Sequence, residues 1–146
     1  MKPPPSGWPR LSPSIFYDDA AAAIDWLCDA FGFEGRLKVQ RDDGRIEHSE
    51  LTYGESAITV GQTDRADRPT RSYTASPRSV NDANTHSLML FGDDADAPCA
   101  RARSARAAIV EKPAVHNCGA GYWVDGGYRA VDPEGHHWWF VQRLRG

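Results

Sequence analysis

One pattern occurs twice in this chain and limits what it can fold into. Asp18-Asp19-Ala20 follows a strand-like run and opens an alanine-rich helical stretch. Asp93-Asp94-Ala95, 75 residues later, does the same. A repeat of that spacing means a duplicated supersecondary unit. Each half of a 146-residue chain is marginal alone, because small modules bury too little surface, so the two are expected to share one architecture.

Within the first half, Leu11 to Tyr17 reads as a strand and Asp18-Asp19 as a helix N-cap. Ile24, Leu27 and Phe31 then recur at helical spacing, widened by Ala20, Ala23 and Ala30, and Gly32 stands where a C-cap belongs. Three strand-like runs follow: Gly35 to Arg41, Arg45 to Tyr53 and Ser56 to Gly61. The turns Asp42-Asp43-Gly44 and Gly54-Glu55 separate them. The second half repeats the order. Thr85 to Phe91 is a strand, and a helical segment follows Asp94 with Pro98 in its first turn. Ala107 to Glu111, Tyr128 to Val131 and His137 to Gln142 complete the set, the last two joined by Asp132-Pro133-Glu134-Gly135.

The fold class is therefore α+β: two βαβββ modules forming an open, cupped mixed sheet around a central cleft, where a ligand would bind. Residues 1–10 form a Pro-rich arm with Trp8 poised to pack on the body or on a neighbour. The modules cover 11–61 and 84–146, and 62–83 is a linker loop without period. Its arginines, Arg71 among them, read as solvated or as contacts for an anionic ligand.

Composition excludes several functions. Seventeen basic residues face 20 acidic ones, a net charge of −3 without the basic surplus of a nucleic-acid binder. No apolar run approaches the roughly 20 residues of a membrane span. Met1 to Pro13 holds five prolines and no secretory apolar core. Cys28, Cys99 and Cys118 are too scattered for a disulfide framework and suit a reducing cytoplasm.

Several segments carry a resemblance. They are Leu11-Ser12-Pro13 through Asp18-Asp19, Ala22 to Leu27, Ala30-Phe31-Gly32-Phe33, Ile46 to Leu51, and Tyr128 to Phe140 with its Asp-Pro-Glu-Gly-His-His-Trp run. Together they resemble the vicinal oxygen chelate superfamily of glyoxalases, bleomycin-resistance proteins and extradiol dioxygenases, on its glyoxalase-like or PhnB-like side. They span about three quarters of the chain and identify a fold better than a reaction.

The resemblance implies four metal-ligand positions, two per half. In the second half they fall on His86 and on Trp139, where the usual member has Glu. In the first half they fall on Leu11 or Ser12 and within Ile58, Thr59 and Val60. One ligand of four is not a metal site, so no cofactor is expected. A rebuilt set of His48, Glu50 and His86, suited to zinc, nickel or iron, is the alternative. His48 and Glu50 alternate to one face of their strand, with Leu51 and Tyr53 on the other.

Candidate ligand-binding residues are His48, Glu50, His86, Tyr122, Trp123, His137 and Trp139. Trp139 reads as a stacking wall or as core; Tyr122 and Trp123 sit in a Gly-rich stretch that reads as a lid jointed at Gly119, Gly121, Gly126 and Gly127, or as a loop anchor. His116 and Cys118 lack an orienting third group for nucleophilic catalysis. The resulting expectation is a metal-free homodimer that captures a small, partly aromatic molecule. The alternatives are a lyase, isomerase or dioxygenase with a rebuilt metal site, a metal-free acid–base enzyme with Glu50 as base, or an interaction module with a vestigial cleft.

Overall fold

Helix formation in the first half starts at Asp19, whose Oδ1 accepts the N–H of Ala22 at 3.0 Å. The helix α1 (Ala20–Phe31) stops at Gly32, which takes the left-handed φ of 80° that a side chain would resist. Its buried face is Ala20, Ala23, Ile24, Leu27, Ala30 and Phe31, as the spacing predicts. Burial of each large member contributes about 1.5–3 kcal/mol. The structure is a computed structural model describing residues 1–63, 66–117 and 124–145.

Around α1 the first half adds β1 (Ser14–Tyr17), β2 (Glu34–Gln40), β3 (Ile46–Tyr53) and β4 (Ser56–Gln62). The second half adds β5 (Leu88–Phe91), α2 (Asp96–Ser104), β6 (Ala108–Asn117), β7 (Val124–Val131) and β8 (His137–Arg145). Each half is one four-stranded mixed sheet with the same strand permutation, β1-β4-β3-β2 and β5-β8-β7-β6. The first strand pairs parallel with the last, and the other pairs are antiparallel. This is the α+β repeat expected of two βαβββ modules. The chain divides into two compact units, Met1–Ser76 and Pro77–Gly146.

In the first unit α1 packs over the sheet. Ile15, Tyr17, Ile46, Leu51, Ala57, Ile58 and Val60 fill the space beneath it. Ser49 is buried among them and exchanges two hydrogen bonds with the backbone of Val60, so its hydroxyl is satisfied. The arm reaches the body: the Arg36 guanidinium lies 4.4 Å from the Trp8 ring centre and donates to the Gly7 carbonyl.

In the second unit the core is Ala95, Cys99, Ala102, Tyr128, Ala130, Trp138 and Phe140. Tyr128 and Phe140 stack with ring centres 4.8 Å apart. Helix α2 has no side-chain cap on its first turn; Asp94 Oδ1 instead accepts the N–H of Asp96 at 2.8 Å.

Several boundaries move from their sequence-based positions. β1 begins at Ser14, since Leu11 is exposed and Pro13 cannot donate to a ladder. β5 begins at Leu88, which leaves His86 ahead of the strand. β6 and β7 are longer than their apolar cores because mutual pairing carries them on to Asn117 and Val124. That extension places Gly126 and Gly127 inside a strand, where both are buried, rather than at lid joints. The stretch from 62 to 83 holds two short 3-10 turns, Pro69–Arg71 and Pro77–Val80. No helix among the described residues is long and apolar enough to cross a membrane.

Candidate functional site

Cross-strand register in the second unit builds a row of functional side chains. Arg129 on β7 stands opposite Glu111 on β6 and opposite Trp139 on β8. Directly opposed residues share a face, so the three side chains meet. The Arg129 guanidinium lies 5.4 Å from the Trp139 ring centre. Its Nη2 is 2.8 Å from Glu111 Oε1, and Nη1 is 2.7 Å from His137 Nδ1. An arginine only donates, so His137 accepts through Nδ1 and its N–H is carried on Nε2.

Arg129, His137 and Trp139 line an open 470 Å³ depression together with His86, Thr85, Ser87, Asn84 and Asp82 from the segment before β5. Thr85 Oγ1 is 3.4 Å from His86 Nδ1, and the His86 ring lies 6.2 Å from that of His136. Trp139 also borders a second cavity of 190 Å³, lined by Met89, Val141, Asp125, Gly126 and Gly127. The two glycines give it a floor without side chains. Trp139 therefore has a polar compartment of imidazoles and hydroxyls and an apolar one beside it. Trp138 and Phe140, one residue out of phase, are fully buried core. Trp139 itself is half-buried and borders both spaces, so it is not enclosed core.

In the first unit, β3 turns Ser49 and Leu51 inward and leaves His48 exposed and Glu50 half-buried on the opposite face. His48 Nε2 lies 3.0 Å from Glu50 Oε1, and Arg36 Nε donates to Glu50 Oε2 at 2.8 Å. The hydrogen bond from His48 is the largest cause that holds the Glu50 carboxyl below the usual carboxylate range; burial opposes it, and the hydrogen bond and charge of Arg36 add to it. A general base working near neutral pH needs the opposite shift. His48 also borders a 270 Å³ cavity with Phe16, Thr59, Arg71 and Tyr73.

Both described cysteines are poor nucleophiles. Burial pushes the Cys99 thiol up; at Cys28 burial acts first, and the charges of Asp25 and Asp29 add to it. Tyr122, Trp123 and Cys118 lie outside the described residues.

The positions at which the family's ligands are expected do not suit a divalent metal. Leu11 is exposed hydrocarbon and Ser12 Oγ donates to the Ala57 carbonyl at 2.8 Å. Ile58 and Val60 are core, and Thr59 Oγ1 bonds Ser14 Oγ at 2.7 Å. Trp139 carries a guanidinium over its ring, a cation where a metal would need a donor. Among the described residues no three His, Cys, Asp or Glu side chains are grouped to hold a metal ion. His86 is the one imidazole at these positions, and His137 lines the same depression.

Sequence reasoning missed Arg129. Arg129 sits one residue after the core Tyr128, so alternation puts it on the opposite face of that strand; nothing local signalled its partners.

Sheet permutation, duplicated helices and paired cavities define a duplicated βαβββ protein of the vicinal oxygen chelate type. A family model for the Glyoxalase/Bleomycin resistance protein/Dioxygenase superfamily matches residues 11–140, and the chain belongs to that superfamily. It is 31% identical over 137 residues to protein Mb0911c of Mycobacterium bovis, covering 94% of this chain and 85% of that one. The same identity is found with Rv0887c of Mycobacterium tuberculosis, 76% of which is covered. Among solved structures, TioX from Micromonospora sp. ML1 is 28% identical with a TM-score of 0.67, covering 93% of this chain and all (100%) of that one. A glyoxalase/bleomycin resistance protein/dioxygenase from Alicyclobacillus acidocaldarius shares the fold at 12% identity and a TM-score of 0.64, covering 96% and 95%.

Proposed function

We propose that this chain is a binding member of its superfamily that captures a small, partly aromatic molecule against Trp139 without a metal. The observation that carries the reading is the Arg129–Trp139–His137 arrangement. Where a metal-using relative is expected to place a carboxylate ligand, this chain has an indole with a cation on it. The ring offers a stacking surface worth about 0.5–1.5 kcal/mol beyond the area it buries. The apolar compartment beside it suits a flat ring, and the His86 and His137 side offers hydrogen bonds to a polar substituent. His137, held as the Nε2–H tautomer, presents a donor there, which suits a carbonyl or phenolic oxygen.

The test is a screen of small aromatic compounds by ligand-detected NMR in the presence of EDTA. At least one compound should bind with EDTA present and weaken at least tenfold in Trp139→Ala. Stoichiometric binding of zinc, nickel or iron(II) that disappears in His86→Ala would replace this reading with the metal-dependent lyase, isomerase or dioxygenase. We further propose a cytoplasmic homodimer; light scattering giving a particle near 16.1 kDa would overturn the dimer.

A further inference from the structure

Arg71 is a half-buried cation with no carboxylate paired to it among the described residues. The 3-10 turn Pro69–Arg71 delivers it to the first unit's sheet. There Nη1 donates to the Gln62 carbonyl and Nη2 to the Glu47 carbonyl, each at 3.4 Å, and the guanidinium lies 6.0 Å from the Phe16 ring centre. Carbonyl dipoles orient the guanidinium without cancelling its charge, and N–H groups remain for an anion. The carboxylate of Glu47 borders the same space but is engaged by Arg68. Burial first, then the charges of Arg71 and Arg41, makes Arg68 less basic than usual.

The space in front of Arg71 is the 270 Å³ cavity, lined wholly by residues of the first unit. It is smaller than the roughly 300–1,000 Å³ of drug-sized sites, so its occupant is small. Phe16 and Tyr73 meet edge to face at 6.1 Å and supply aromatic walls. Ser14 Oγ accepts its hydrogen bond from Thr59, which leaves the Ser14 hydroxyl hydrogen to donate outward.

We propose that this cavity is a binding site for a small aryl carboxylate. The carboxylate sits on Arg71 and the Ser14 hydroxyl, and the ring lies against Phe16 and Tyr73. A guanidinium preoriented by main-chain carbonyls favours a planar two-oxygen anion over a neutral amide of the same shape.

Calorimetric titration of the full chain with benzoate and benzamide tests this. Benzoate should bind saturably and benzamide at least tenfold more weakly. Arg71→Gln should weaken benzoate at least tenfold and Arg71→Lys by less. Tyr73 is 78% exposed, so Tyr73→Ala should fold normally and bind benzoate about threefold more weakly. Wild-type affinity in Arg71→Gln overturns the proposal, as does equal binding of benzamide or no saturable binding of benzoate. If Arg71→Gln does not fold, unchanged affinity in Tyr73→Ala overturns it. Loss of benzoate in Trp139→Ala with Arg71 variants unaffected overturns this site and leaves the Trp139 reading standing.

Discussion

Asp132 and Trp138 hold the last turn of the chain together: the indole Nε1–H of Trp138 donates to Asp132 Oδ2 at 3.0 Å. Oδ1 of the same carboxylate accepts the backbone N–H groups of Glu134 and His136, each at 3.0 Å. All of these groups are buried, and the turn sets the register with which β8 enters the sheet. Trp138 faces the core because of that register, and Trp139 therefore faces the cavities.

Removing either partner should be costly. Trp138→Phe keeps an aromatic ring but deletes the donor, and should cost about 1–3 kcal/mol. Asp132→Ala strands several buried donors and should cost about 3 kcal/mol. Urea unfolding of both variants and of the double variant measures the coupling. A double variant that loses the full sum of the two single losses would mean that the pair does not act as a unit.

Gly127 is required for close approach. A Cβ there would lie 2.5 Å from the Phe140 carbonyl oxygen, a backbone atom of β8. Gly127→Ala should destabilise by about 1–3 kcal/mol. At the neighbouring Gly126 a Cβ would first meet Leu144 Cδ1, the end of an exposed side chain, at 3.4 Å. Gly126→Ala should stay within about 0.5 kcal/mol of the parent. Thermal melts of the two variants make the comparison, and equal losses would mean that the β7–β8 spacing adapts.

Glu50 should make stability depend on acid. Its carboxyl is held below its ordinary range in the folded chain, so the folded state binds its proton less readily than the unfolded one. The resulting stabilisation is complete above the ordinary carboxylate range and is lost as pH falls through the lowered folded-state value. Unfolding free energies of the parent and Glu50→Gln, measured between pH 7 and pH 3, should therefore differ most at the upper end and converge at the lower end. A gap that widens toward low pH would reverse the assigned sign.

Much of the architecture could be read from local pattern. Helix α1 was legible to the residue because capping and a helical stripe depend on neighbours within one turn: Asp19 before it, Gly32 after it, and Ile24, Leu27 and Phe31 between. The faces of β3 and β8 followed from alternation, so His48 and Glu50, and His137 and Trp139, were paired correctly on their strands. Gly126 and Gly127 were misread because a glycine permitting close strand contact looks, in isolation, like a flexible joint.

The duplication, the helix and strand types and the side of each strand that meets a helix are properties of the sequence itself, since they rest on interactions between residues a few positions apart. The row from Glu111 through Arg129 to Trp139, and the placing of Arg71 over Phe16, were decided only by the tertiary structure. Strand pairing and loop return set those contacts between residues distant along the chain, and no periodicity within a single segment encodes which distant side chain will stand opposite.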